Sequence, residues 1–252
     1  MLQTQRDRAI LDHLTRQGSA RIEDLAQKLS VSEETVRRAV KRLEAVGSVT
    51  RVHGGVHLRD VLAEPSLSLR LGVNPGAKRR IAARVAGLIE NGSSLFLDVG
   101  STTAFVAQAL RDHRELFVVT NSLTVAQALT GRGGNRVFMA GGELRPHDGG
   151  AFGAEALAFI ARFRVRHAIL TAASVDARAG FMLNDLHETE ISRAILTLAE
   201  SATVVADASK FGAAAPMLIA PPQAFDRLVT DAAPDGPLAD LLQAAGVEVI
   251  LA

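Results

Sequence analysis

In the second half of the chain, polar residues recur where short apolar runs end. Leu95-Phe96-Leu97 runs into Asp98-Val99-Gly100-Ser101-Thr102-Thr103, and Phe117-Val118-Val119 into Thr120-Asn121-Ser122. Val137-Phe138-Met139 is followed by Gly141-Gly142-Glu143, and Val204-Val205-Ala206 by Asp207-Ala208-Ser209-Lys210-Phe211. Glycine lets backbone amides approach an anion, a helix start presents N–H groups without partners, and hydroxyls add donors. Lys210 would add a point charge, so the chemistry in prospect is capture of a phosphate group. Asp98, Asn121 and Asp207 are suited to the hydroxyls of a sugar or polyol. Taken singly, each run reads equally well as a helix cap or a turn. Several of them at the ends of strands in one sheet favour a shared pocket.

The elements that would position these residues alternate along the chain. Helical spacing covers roughly 78–90, 103–111, 122–130, 154–161, 187–200 and 237–245. The intervening apolar runs include Ala168-Ile169-Leu170, Leu228-Val229 and Val247 to Leu251. Runs that are apolar on both faces suit a mostly parallel, doubly wound sheet covered by helices, with ligands at the carboxyl ends of its strands. Residues 59–77, with Pro65, Gly72, Pro75 and Gly76, read as a linker carrying one small anchoring patch, Leu67 to Leu71.

The first 58 residues predict a different domain. Ile10, Leu11 and Leu14 mark one helix ending near Gly18, and Ile22, Leu25, Ala26 and Leu29 mark a short second one. Ser30-Val31-Ser32 breaks the run, Ser32 is suited to cap the next helix, and Glu33 and Glu34 suit its positive end. The third helix buries Val36, Val40 and Leu43. Its opposite face carries Glu34, Arg38 and Lys41, flanked by Thr35, Arg37 and Arg42. Val49 to Val52 and Val56 to Leu58 then read as a hairpin around His53-Gly54-Gly55, which makes a wing. A winged helix-turn-helix would lay the charged face in the major groove, with Arg38 on a base edge and Lys41 and Arg42 on phosphates. Arg51 and His53 would reach the backbone or minor groove. A three-helix bundle with a solvated charged face fits the same spacing.

Composition sets the bounds. The 252 residues favour two domains, and the lack of cysteine excludes disulfides and thiolate metal sites. The sequence shows neither an apolar run long enough to cross a bilayer nor a signal peptide at Met1 to Arg8, so the expectation is a cytoplasmic protein, at the nucleoid when bound to DNA. The formal net charge of +1 conceals a basic head, with eleven basic against seven acidic residues in 1–59. The remainder has 17 basic against 20 acidic, so the head is the part expected to meet a polyanion.

The head resembles the DNA-binding domain of the DeoR family of repressors in Leu25-Ala26, Val31-Ser32, Glu34-Thr35-Val36-Arg37-Arg38, Leu43-Glu44, Gly47 and Arg51-Val52-His53-Gly54-Gly55. The body resembles that family's sensor domain in the runs from Asp98, Thr120 and Gly141, in Phe152-Gly153, in Asp176 with Gly180, in Glu188, and in the run from Asp207. Within the family, Gly141 to Arg145, Asp148-Gly149-Gly150, Phe159-Ile160, Phe163-Arg164 and Thr230-Asp231-Ala232 are most similar to repressors of glycerol-3-phosphate regulons. The resemblance implies a sheet related to ribose-5-phosphate isomerase, a phosphorylated sugar or polyol as effector, and release from operator DNA when it binds. The implied organisation is a head at 1–58, a linker at 59–77 and a sensor at 78–252, with no cofactor and no metal. It also implies Asp176 and Glu188 as ligand residues. Half-sites on DNA are read by paired heads, so a dimer or tetramer is expected. Two departures stand out: Ala39 where the family usually has Asp, and Ser174 where it often has Gly. His187 and Glu188 look metal-like, but adjacent helix residues point apart, and capping or ligand contact is the favoured reading. The rival function is a sugar-phosphate isomerase with an accessory head, using Asp98, Glu188 or Lys210 as acid–base groups. Whether the protein represses or activates is not written in the sequence.

Overall fold

The computed structural model describes residues 3–17, 19–45, 48–52, 54–58 and 64–252. The chain divides into a head, Met1–Gly72, and a body, Val73–Ala252. Three head helices are built on the expected apolar spacing: α1 (Gln3–Gln17), α2 (Ile22–Leu29) and α3 (Glu33–Ala45). Ile10, Leu14, Leu25, Val36, Val40 and Leu43 form their common core. Ala39 is fully buried in that core. Ser30 ends α2 in the left-handed conformation, and the Ser32 hydroxyl accepts from the Thr35 amide at 3.3 Å to start α3. β1 (Ser19–Arg21) joins the wing strands β2 (Val49–Val52) and β3 (Gly55–Leu58) in an antiparallel sheet of order β1-β3-β2. A Cβ on Gly55 would lie 2.9 Å from the Ala20 carbonyl, so the close approach of β1 to the wing requires glycine there.

Regular structure reaches into the segment expected to be a linker. α4 (Leu67–Leu71) belongs to the head unit, with Leu69 packed on its core. The first helix of the body, α5, spans Pro75–Ala86. Residues 59–63 lie outside the described residues.

The body continues in chain order with β4 (Ser94–Leu97), α6 (Ser101–Ala109), β5 (Phe117–Thr120), α7 (Leu123–Leu129), β6 (Arg136–Met139) and α8 (Gly153–Ile160). Then come β7 (Val165–Thr171), β8 (Ser174–Asp176), β9 (Gly180–Leu183) and α9 (Leu186–Leu196). β10 (Ala199–Val205), β11 (Met217–Leu218), β12 (Arg227–Thr230), α10 (Gly236–Ala244) and β13 (Glu248–Leu251) complete it. Seven strands form one sheet of order β13-β12-β10-β7-β4-β5-β6, with every pairing parallel. β11, β9 and β8 form a small antiparallel sheet that apolar runs alone do not predict.

Alternation along the strands divides the core into two layers. Leu95, Leu97, Val118, Ile169 and Val205 face α5, α6 and α7 through Ile81, Val85, Val106 and Leu129. Phe96, Val119, Ala168, Leu170 and Val204 face α8, α9 and α10 through Ile160, Ile191, Ile195 and Leu242. The chain runs outward from β4 to β6, then returns to β7 on the other side of β4 and continues outward to β13. The strand order therefore reverses between β4 and β7, and the crevice beyond their carboxyl ends is where such sheets take ligands. No helix among the described residues is long and apolar enough to cross a membrane.

Candidate functional site

Asp98 leaves β4 at that reversal and is 1% exposed. The Val99 amide donates to Asp98 Oδ1 at 2.8 Å and to Asn121 Oδ1 at 3.0 Å. Burial pushes the Asp98 carboxyl up to about 7, against the lowering effects of the Val99 amide, Asn121, the Thr171 backbone and the charge of Arg145. Asn121 is fully buried, and its Nδ2 has no hydrogen-bond partner. It stands near enough to Asp98 to stabilise the carboxylate but outside hydrogen-bond geometry.

α6 begins directly after this carboxylate. Ser101, Thr102 and Thr103 occupy its first turn and are buried, and the Ala104 amide makes the bond to Gly100 O at 3.0 Å. The three preceding amides stand at the donor end of the helix, where its dipole is positive. Thr103 Oγ1 donates to Gly100 O, Thr120 Oγ1 donates to Leu97 O at 2.6 Å, and Ser122 Oγ caps α7 by accepting from Val125 N. The hydroxyls of Thr103, Thr120 and Ser122 thus serve the fold as well as lining the strand ends. Gly100 has a packing reason: a Cβ there would meet Thr171 Cγ2 at 2.6 Å. Crowding from β7 is thus by itself a reason for glycine at the start of α6.

The segment after β6 doubles back. Gly141 and Gly142 are exposed on it, and it returns through the bridges Leu144↔Ala151 and Ser122↔Gly150. The Ala151 amide bonds Asn121 O at 2.8 Å, fastening this strap across the end of β5. Arg145 projects from the strap to the carboxylates of Asp148, Glu188 and Asp185, the last at 3.3 Å, and stacks 4.1 Å from the centre of the Phe152 ring. Burial alone would raise the Asp148 carboxyl, but bonds and charge from Arg145, the Gly150 amide and His147 hold it below the ordinary range. The same carboxylates outweigh the effect of burial on Arg145 and raise its guanidinium further. Asp185 caps α9 by accepting from the Glu188 amide at 3.0 Å. Glu188 therefore faces Arg145, while His187 turns to Glu190 at 3.3 Å. Among the described residues no group of three carboxylate, histidine or cysteine ligands could hold a metal ion.

At the end of β10, Asp207 is 2% exposed and accepts from the Ser209 amide at 3.1 Å, from the Ser209 hydroxyl and from Asn74 Nδ2 at 3.0 Å. Those donors and Lys210 outweigh its burial and hold its carboxyl below the ordinary range. Lys210 is half-buried beside it. Asp176 lies on β8, whose Val175 bridges Phe211 at the end of this run. Its carboxylate accepts from the amides of Arg178 and Ala179, each at 2.8 Å, in the β8–β9 hairpin, which makes it a turn residue. Ser174 is fully buried in β8 and donates to Ala213 O. Sequence reasoning missed Arg145, Asp148, Asp185 and Asn74 as well as Lys78, which is buried in the first turn of α5. The charged pair Arg145 and Asp148 beside two glycines was the available signal.

On the head, Glu34, Arg37, Arg38 and Lys41 share the exposed face of α3. Arg37 pairs with Glu33 at 2.8 Å and Arg38 with Glu34 at 3.2 Å, one turn apart in each case. Thr35 is half-buried and shares a 2.8 Å hydrogen bond with the Ser32 hydroxyl. Arg42, expected on a phosphate, has its guanidinium on Asp7 of α1 at 2.8 Å, a tie within the fold. Arg51 reaches back from the wing to Glu44 at 2.7 Å. His53 and the side chain of His57 lie outside the described residues.

A family model described as the DeoR-like helix-turn-helix domain matches residues 6–61, and one described as the DeoR C terminal sensor domain matches residues 73–232. The chain is 38% identical to the glycerol-3-phosphate regulon repressor of Escherichia coli (strain K12), over 93% of each protein. It is 32% identical to the HTH-type transcriptional repressor CsqR of the same strain, over 94% of this chain and 91% of that protein. Similar solved structures include ribose 5-phosphate isomerase A from Methanocaldococcus jannaschii, at 15% identity, TM-score 0.41 and 55% of each chain. The full-length sorbitol operon regulator SorC from Klebsiella pneumoniae is similar at 13% identity and TM-score 0.38, over 76% of this chain and 85% of that one.

Proposed function

The chain belongs to the DeoR family of transcription regulators, and from that premise we propose that it represses a carbohydrate or polyol catabolism operon and leaves its operator when a phosphorylated sugar or polyol binds the body. sn-Glycerol 3-phosphate is the first effector to test, because a relative 38% identical over 93% of its length is named for that regulon. The reading is of a regulator rather than an enzyme.

One observation carries the sensing half. The start of α6 with Ser101 and Thr102, and Asn121 with its partnerless Nδ2, follow directly on β4 and β5, beside the place where the strand order reverses. Such an end suits a phosphate dianion. Asp98, Glu188 and Asp207 would accept from the hydroxyls of the ligand, and Lys210 would add charge. Gly141 and Gly142, exposed on the strap, and Asp176, held in its turn, would be less direct parts of this site.

In the head, Arg38 and Glu34 read base edges, while Lys41, Arg37 and Arg51 hold phosphates and His53 acts from the wing. Ser32 and Thr35 fix the start of the reading helix. Arg42 acts indirectly, by holding α3 to α1. Paired half-sites call for at least a dimer. The test is titration of the purified full chain against DNA from upstream of its own gene, with and without sn-glycerol 3-phosphate. Tight binding that weakens with the ligand is the expected result. Failure to bind that DNA at low salt removes the regulator, and binding that no sugar or polyol phosphate weakens removes the sensor.

A further inference from the structure

Asn74 is the second residue of the body, directly after the head ends at Gly72. It stands at the N-cap of α5 in the left-handed conformation, φ 48° and ψ 45°, and the next residue is Pro75. A residue before proline is pushed toward extended backbone, and a non-glycine residue at positive φ is uncommon, although asparagine tolerates it best. An N-cap asparagine ordinarily turns its side chain onto its own helix. Asn74 makes no such bond. Its Nδ2 donates instead to Asp207 Oδ1, 133 positions further along the chain, at 3.0 Å.

Asp207 opens the Asp207–Lys210 run, where the proposed function puts ligand contacts. Its Oδ1 takes three donors: Asn74 Nδ2, the Ser209 amide and the Ser209 hydroxyl. A carboxylate oxygen has two lone pairs, so this acceptor is crowded. A second tie lies one turn on. Arg80 of α5 reaches Asp231 at 3.4 Å, and Asp231 Oδ1 accepts from the Ala208 amide at 2.8 Å. The first two turns of α5 are thus fastened to the 207–210 loop by side chains on both sides.

We infer that Asn74 is the positioning residue that couples occupancy of the 207–210 loop to DNA release, through its hydrogen bond to Asp207. The inference rests on the reading of that loop as part of the effector site. A ligand hydroxyl arriving at Asp207 competes for the oxygen that Asn74 uses. Once that bond is lost, the strained dihedral before Pro75 relaxes toward the extended region. A change at one φ angle re-aims all of the chain that precedes it, and the chain that precedes it is the DNA-binding head.

The test measures DNA affinity of the full chain by anisotropy, with folding checked by circular dichroism. Asn74→Gly keeps the left-handed backbone accessible and deletes the side-chain bond. In the absence of ligand it should bind the upstream DNA about tenfold more weakly than the wild type. Its affinities with and without saturating sn-glycerol 3-phosphate should draw closer together. Asn74→Asp sets a second carboxylate against Asp207 Oδ1 in place of the donor and should weaken the ligand-free binding at least as much. Asn74→Gly binding DNA as the wild type does, with an unchanged response to ligand, overturns the inference. Asn74→Asp binding the ligand-free DNA as the wild type does, in a folded protein, overturns it as well. If the wild type binds DNA but ignores sn-glycerol 3-phosphate, the choice of effector fails, and the ligand-free comparison still decides the role of Asn74.

Discussion

Replacing Asp98 by Asn should change how the stability of the body depends on pH. Asp98 is sealed from solvent, and burial pushes its carboxyl well above the ordinary carboxylate range, up to about 7. In the unfolded chain it ionises near 4. Between those two values the folded protein holds a proton that the unfolded chain has released, so stability is greatest below about pH 4 and falls as pH rises toward 7. Each unit of that window costs about 1.4 kcal/mol. From about pH 5.5 to the folded value is roughly 1.5 units, so Asp98 should remove about 2 kcal/mol between pH 5.5 and pH 8. Asp98→Asn keeps an oxygen for the Val99 amide and has nothing to ionise, so its profile should be flatter than the wild type by that amount. The chain contains no Trp and no Tyr, so urea unfolding is best followed by far-ultraviolet circular dichroism on the transition of the body. Other titrating groups, among them His167, whose burial lowers its pKa, are common to both proteins and cancel in the comparison. Parallel profiles for the two proteins would refute the argument, because they would mean that water or a rearranged partner already solvates the carboxylate.

Gly100→Ala should destabilise the body by roughly 1–3 kcal/mol in urea unfolding, since the new methyl meets Thr171 Cγ2 at 2.6 Å, and Thr171→Ser should recover much of the loss. Arg145→Ala leaves the buried carboxylates of Asp148 and Glu188 without their cation and should cost about 3 kcal/mol at neutral pH. That deficit should shrink as pH falls from about 4, where the unfolded chain takes up the proton, through the lower value at which Asp148 takes it up in the folded wild type. On operator variants, Arg38→Ala should flatten discrimination at one base pair by roughly 1–3 kcal/mol, whereas Lys41→Ala should weaken all sequences alike and lower the salt slope by about one. Equal behaviour of those two variants would reverse the division of labour on α3.

Much of this architecture is legible from periodicity. The apolar runs in the sheet and the stripes of α1, α2 and α3 fall where spacing puts them, because burial on a fixed face leaves a fixed period. Three-residue strands such as β1 and β8 leave no period to read. Asp176 with Gly180, at φ 82°, reads in sequence as part of a sensor motif, and the turn that Asp176 closes through the amides of Arg178 and Ala179 is visible only in the fold. A helical wheel sets Arg42 beside the reading face and has no means of knowing that Asp7, 35 residues away, comes within 2.8 Å. Gathering Asp148, Asp185 and Glu188 around Arg145 takes the strap and the start of α9 together, and local sequence contains neither distance. The polar strand ends were legible as a group, while the packing role of Gly100 and the capping role of Ser122 emerged only from their neighbours.

The two glutamates at the start of α3 give the head an internal competitor. Arg37 and Arg38 are each shadowed by a carboxylate one turn earlier, so on the proposed reading DNA would have to displace Glu33 and Glu34 before it gains them. Random sequence offers phosphates and little else in exchange, and the exposed pairs screen the field that would hold the protein there. A matching operator offers a guanine edge as well. Selectivity in such a head comes partly from reluctance: it dwells briefly on the many wrong sites and stays at the few that replace everything the helix gives up.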